Sequence, residues 1–131
     1  MFKTVFIERV DGKEEATEFL ANAATPRRYK QVFGSDLLNK FTEAQTEVDG
    51  VRRYNVDFLP ELAYIMAMQA AAKSDPKVKL DKLNEESFYA WLEQFESFSI
   101  ESNAEEIIDV YFRNMEGGSE AKKNNEEQNA V

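Results

Sequence analysis

A mainly α-helical fold of about five helices, with a small β-hairpin at the N-terminus, is expected from three features of this chain. Apolar residues recur at helical spacing in several stretches. Helix starts and stops are marked by Thr25-Pro26, Gly34, Asn84 and Asn103. Residues 2–10 combine β-branched residues with a turn signal. The length, 131 residues, allows one domain and hardly more.

Residues 2–10 contain Thr4, Val5 and Ile7 and end at Asp11-Gly12, a strong two-residue hairpin signal. The partner strand is then 14–20, although Glu14, Glu15 and Glu18, with Ala16, Phe19, Leu20 and Ala23, fit a helix equally well. Strand is the preferred reading. Thr25 is expected as an N-cap, with Pro26 at the first helical position. Gly34 stops that helix after about two turns, and Ser35 or Asp36 caps the next, over 37–46. Residues 43–57 are mostly polar, contain Asp49-Gly50 and read as a loop.

The most apolar stretch is 57–73. Phe58, Leu59, Leu62, Ala63, Ile65, Met66, Ala70 and Ala71 leave little polar face, so this helix is expected at the centre of the fold. Pro60 falls in its first turn, where proline is tolerated, and Ser74-Asp75-Pro76 ends it. Asn84 caps a following helix in which Phe88, Trp91, Leu92 and Phe95 recur at i, i+3, i+4 and i+7. Asn103 caps the last, with Ala104, Ile107, Ile108, Tyr111, Phe112 and Met115 on one side. Residues 117–131 have no aromatic residue, and their only apolar side chains are Ala121, Ala130 and Val131. Such a segment buries too little to offset its conformational entropy. The expected layout is a helical domain over 1–116, with a β element in 1–21, and a disordered tail over 117–131.

Composition narrows the function. There are 25 acids against 16 bases, a net charge of -9, which argues against a sequence-independent nucleic-acid binder. The chain has no Cys and no His, removing disulfides, thiol and imidazole catalysis, and His/Cys zinc sites. Charges come too early at the N-terminus for a signal peptide, and no apolar run approaches the ~20 residues of a membrane span. An acidic, intracellular, non-enzymatic domain is expected, with no cofactor and no metal.

Residues 85–116 hold nine acids and one base, Arg113. The adjacent pairs Glu85-Glu86 and Glu105-Glu106 diverge around a helix instead of converging on a substrate, and no calcium-loop pattern is present. The region is either a surface for a basic partner or a solvated face. Two basic clusters with an aromatic, Arg27-Arg28-Tyr29-Lys30 and Arg52-Arg53-Tyr54, could clamp an acidic ligand. Ordinary surface bases beside a core tyrosine are the simpler account. The alanine- and methionine-rich stretch 63–72 reads as core before partner surface. No catalytic residue emerges.

Four segments together, NAATPRRYKQVFGSDLL (22–38), ELAYIMAMQA (61–70), FYAWLEQF (88–95) and AEEII (104–108), resemble the tail assembly chaperone family of long, flexible-tailed phages and prophages of Gram-positive bacteria. The resemblance spans about residues 20–115. It implies a non-virion helper in phage tail morphogenesis, acting in the cytoplasm of the bacterial host and absent from the mature virion. Such proteins hold the tape measure protein, a very long helical chain, while tail tube subunits polymerise around it. A longer frameshifted form often contacts the tail tube protein, and self-association is open. The family's motifs look like folding determinants, so no catalytic residue carries over. The alternative is an acidic DNA mimic or another protein-inhibitor module.

On the helix after Asn84, Phe88 and Trp91 share a side while Tyr89 lies about 100° around. An aromatic is therefore expected near the surface beside Glu85, Glu86, Glu93 and Glu96, the pattern for docking an amphipathic helix flanked by Lys or Arg. The competing expectation is that Tyr89 packs under the N-terminal hairpin.

Overall fold

In the computed structural model, residues 2–48, 51–54 and 58–113 are described, with backbone alone for 44–48 and 51–54. The expected tail, 117–131, lies outside them. The chain is mainly helical. Strands β1 (Phe2–Glu8) and β2 (Glu14–Leu20) are followed by α1 (Thr25–Phe33), α2 (Leu37–Ala44), β3 (Gln45–Val48) and β4 (Val51–Tyr54). Then come α3 (Leu59–Ser74), a 3-10 turn (Leu80–Lys82), α4 (Glu85–Leu92) and α5 (Ser99–Ser102). Residues 104–113 form a sixth helix, α6.

The N-terminal hairpin forms as expected, and Glu14–Leu20 is strand. Its antiparallel register pairs Phe2 with Leu20 and Glu8 with Glu14. The connection differs from a two-residue turn. The Arg9 N–H donates to the Lys13 carbonyl (2.8 Å) and the Gly12 N–H to the Arg9 carbonyl (2.8 Å), leaving three residues in the loop. Gly12 has φ +84°, the left-handed residue that a three-residue hairpin loop requires. The Lys13 N–H is tied to the Asp11 carboxylate at 2.9 Å.

Asn22, not Thr25, organises the start of α1. The N-cap position is Ala24, which has no side chain to cap with. The Asn22 side-chain oxygen instead takes the Ala24 N–H (2.9 Å), and the Thr25 hydroxyl takes the Asn22 N–H (3.0 Å). Thr25 thereby sits one residue inside the helix. Gly34 closes α1 with φ +75°, its N–H on the Lys30 carbonyl, and the Asp36 carboxylate caps α2 through the Asn39 N–H at 3.1 Å.

The expected loop over 43–57 is corrected. It contains an antiparallel pair in which Gln45 faces Tyr54, Glu47 faces Arg52 and Val48 faces Val51. Polarity hid it, but Thr46, Val48, Val51 and Tyr54 are residue types that favour strand.

Helix α3 is the centre. Nine of its residues are buried, and it packs against β2, α1, α4 and α5, as a helix apolar all round must. Two aromatic clusters brace it. Phe41 packs on Phe58 (4.9 Å), Tyr111 (5.2 Å) and Phe112 (4.7 Å), joining α2, α3 and α6. Phe33 sits edge-on to Tyr64 (6.4 Å) and Phe88 (5.1 Å), joining α1, α3 and α4. Gln69, the one polar α3 side chain in the core, donates through Nε2 to the Leu20 carbonyl (2.7 Å) and the Thr25 hydroxyl (2.8 Å). It pins the hairpin and α1 to the central helix. Among the described residues no helix is long and apolar enough to cross a membrane.

Candidate functional site

Helix α4 carries the residues expected to meet a partner, and its rotation is fixed from both ends. Asn84 closes a capping box with Ser87: the Asn84 side-chain oxygen accepts the Ser87 N–H (2.8 Å) and the Ser87 hydroxyl accepts the Asn84 N–H (3.1 Å). The same Ser87 hydroxyl is hydrogen-bonded to the Tyr64 hydroxyl of α3. Phe88 lies 5.4 Å from Tyr64, and Trp91 lies 5.7 Å from Tyr64 and 4.8 Å from Phe95. Burial pushes the Tyr64 hydroxyl pKa upward, keeping it a neutral donor or acceptor in this bond.

With Phe88 and Trp91 turned inward, Tyr89 is left 57% exposed, resting against Phe88 at 5.2 Å. It does not pack under the hairpin. Glu85, Glu86 and Glu93 are exposed as well and stand at i−4, i−3 and i+4 from Tyr89, on the same helical face. Acids at 85 and 86 suit the positive end of the helix dipole, whereas Glu93, at the C-terminal end, opposes it. With no base in the last turn, helix stability does not account for Glu93.

Glu96 is not on this face. The helix expected to continue through Phe95 stops at Leu92, and residues 94–96 cross to the end of β1. The Val10 N–H reaches the Gln94 carbonyl (3.1 Å) and the Glu96 N–H reaches the Glu8 carbonyl (3.1 Å), so Arg9 and Phe95 form an antiparallel bridge. Arg9 is held there by Glu15 (2.6 Å) and the Gln94 side chain (2.7 Å), with its guanidinium 5.9 Å over the Phe95 ring. This crossing explains why Phe95 is buried although it lies outside α4. It also explains the short helix α5, which begins where the chain turns back.

The turn between them adds an exposed aromatic that the helical pattern did not indicate. Phe98 is 78% exposed, at φ 65°. A pocket of about 200 Å³ beside it is lined by Pro60, Leu92, Phe95 and Ile100, with Glu96 and Glu101 at the wall. Phe2 and Phe6, on one face of β1, are also exposed. Their i, i+4 spacing in a strand was the available signal.

The basic cluster at α1 separates. Tyr29 is fully buried, Arg27 and Lys30 are exposed and Arg28 is half-buried, so no converging clamp forms. The side chains of the Arg52-Arg53-Tyr54 cluster lie outside those described. In the 63–72 stretch, Ala63, Met66, Ala67 and Ala70 are buried, which makes it core. Among the described residues no group of three or more acids is placed to hold a metal ion. No family model matches the chain, and neither the curated proteins nor the solved structures searched contain a match.

Proposed function

We propose that this chain is a non-enzymatic tail assembly chaperone of a long-tailed phage or prophage. It acts in the host cytoplasm, outside the mature virion. It binds the tape measure protein and keeps it soluble while tail tube subunits assemble around it. The observation that carries the reading is Tyr89, held outward by a rotationally locked helix and bordered by Glu85, Glu86 and Glu93. An aromatic anchor with a carboxylate rim fits an amphipathic helix whose apolar stripe is flanked by Lys or Arg. Contact with the tail tube protein belongs to a longer, frameshifted form.

The four segments behind the family resemblance supply Tyr29, Leu37, Leu62, Tyr64, Phe88, Trp91 and Ile107, all core residues. That agrees with motifs acting as folding determinants. A long amphipathic chain exposes apolar surface until it is packed, and many copies of a small acidic binder along it gain avidity. Co-expression with the tape measure protein encoded nearby tests the reading. The expected result is that the tape measure protein moves from the insoluble to the soluble fraction and co-purifies with this chain. Recovery in inclusion bodies with or without this chain contradicts it.

A further inference from the structure

We infer that the free edge of β1 is a self-association surface, on which a second copy of this chain pairs antiparallel about Thr4. The hairpin bonds fix which way the β1 backbone points. Arg9 gives its N–H and carbonyl to the β2 side, while the Glu8 carbonyl and the Val10 N–H point away and meet residues 94–96. Alternation along an antiparallel ladder then turns Lys3, Val5 and Ile7 toward β2, and Phe2, Thr4 and Phe6 outward. Those three residues have no backbone partner on that side among the described residues, because the chain leaves the edge at Ser97 and enters α5. The edge is therefore closed at Glu8, is flanked by α5, which packs against β1, and carries no backbone pairing from Phe2 to Phe6.

The outward positions of this stretch are palindromic, although Lys3 and Val5 between them are not. Phe2, Thr4 and Phe6 stand symmetrically about Thr4, so antiparallel pairing with a second copy sets Phe2 opposite Phe6 of that copy and Thr4 opposite its own equivalent. All three outward residues then face outward residues, which is the isologous contact of a two-fold dimer. Aromatic pairs and a threonine pair are favourable neighbours across strands. The two phenylalanines are 50% and 62% exposed, on the sheet face opposite the buried Val5 and Ile7. Edges meant to stay unpaired are usually blunted by charge or proline; here only Lys3 intervenes, half-buried on the inner face.

Charge favours a second copy at this place. The chain carries net -9, yet residues 2–7 contain one base and no acid. The acids on the outer face of β2, Glu14 and Glu18, sit one strand further back. Three strand spacings, about 14 Å, would separate Glu18 from its equivalent, beyond the screening length at physiological salt. Area sets the strength. The exposed parts of Phe2 and Phe6 amount to roughly 200 Å² per copy, about a quarter of what one side of a stable interface buries. The dimer is accordingly weak and concentration-dependent.

Sedimentation equilibrium of the full chain from micromolar to about 1 mM tests this. The expected result is a monomer–dimer equilibrium with Kd on the order of 10–100 μM. Thr4→Pro removes an N–H that the β1–β2 ladder does not use, and should weaken dimerisation at least tenfold with an unchanged circular dichroism spectrum. If that variant does not fold, Phe6→Lys replaces it with the same expected loss. Because the chain has no cysteine, Thr4→Cys gives a single thiol that a short bismaleimide should join into dimers, whereas Asp11→Cys at the hairpin tip should not react across copies. A monomer at 1 mM, or a dimer indifferent to both edge variants, overturns the inference.

Discussion

Gln69 sits in the middle of α3 with its amide nitrogen on two oxygens that belong to other elements, the Leu20 carbonyl and the Thr25 hydroxyl. Replacing it by Leu keeps the volume, strands the Leu20 carbonyl and leaves the Thr25 hydroxyl with the Asn22 N–H alone. Gln69→Leu is expected to cost about 2–3 kcal/mol, read from the urea midpoint. Glu61 makes a pH-dependent case. Burial raises its carboxyl above the usual range, Lys40 and the Tyr29 hydroxyl (3.5 Å) pull it down in part, and Glu85 pushes it up again. A carboxyl raised in the fold contributes stability while protonated and loses it as pH rises through its folded pKa. Glu61→Gln, uncharged throughout, should therefore melt higher than the parent at pH 7. The gain should vanish below about pH 4, where the unfolded carboxyl is protonated too. Tyr29 itself is held well above the ordinary phenol range, by burial first and the Glu61 carboxylate second, so it stays neutral across this window.

Among the elements, α3 was fully legible, because an all-round apolar helix has no alternative to a central position. The N-terminal hairpin was legible in its strands and misjudged in its loop, since Asp-Gly serves both two- and three-residue turns. The strands at 45–54 were hidden by polar composition, and the end of α4 by an accident of spacing. Phe95 falls at i+7 from Phe88, yet reaches the core through a strand-like crossing to Arg9. Long-range pairing of that kind leaves no local signature. Asn103 shows a related ambiguity. Its carbonyl accepts the Ile107 N–H and opens α6, but its side chain donates back to the Ser99 carbonyl at 2.7 Å and closes α5. The starts at Asp36 and Asn84 were read correctly and the one at Thr25 was not, and among the stops α4 ended early while Gly34 closed α1 as read. A Cβ at Gly34 meets nothing within 4 Å, so substitution carries only a conformational cost. Gly34→Ala should lose about 1–2 kcal/mol through the left-handed φ, measured by thermal melting.

For the whole molecule, the core was readable from the sequence and the surface only where the core dictates it. Tyr89 is exposed because Phe88 and Trp91 on the same helix are not, a consequence of 100° per residue. Glu96 was expected beside it but belongs to the crossing at β1, since the helix ends four residues earlier. Phe2, Phe6 and Phe98 were not anticipated as surface residues, because their exposure depends on which faces other elements leave uncovered. The proposed docking of a long helical partner centres on the α4 face. Its most direct test is the affinity of the purified chain for the tape measure protein, or a soluble helical fragment of it, with Tyr89→Ala beside the parent. The substitution should change folding stability by no more than about 1 kcal/mol while weakening binding by roughly 30-fold, and added salt should weaken the parent's binding modestly. Unchanged affinity of a folded Tyr89→Ala protein would contradict the account.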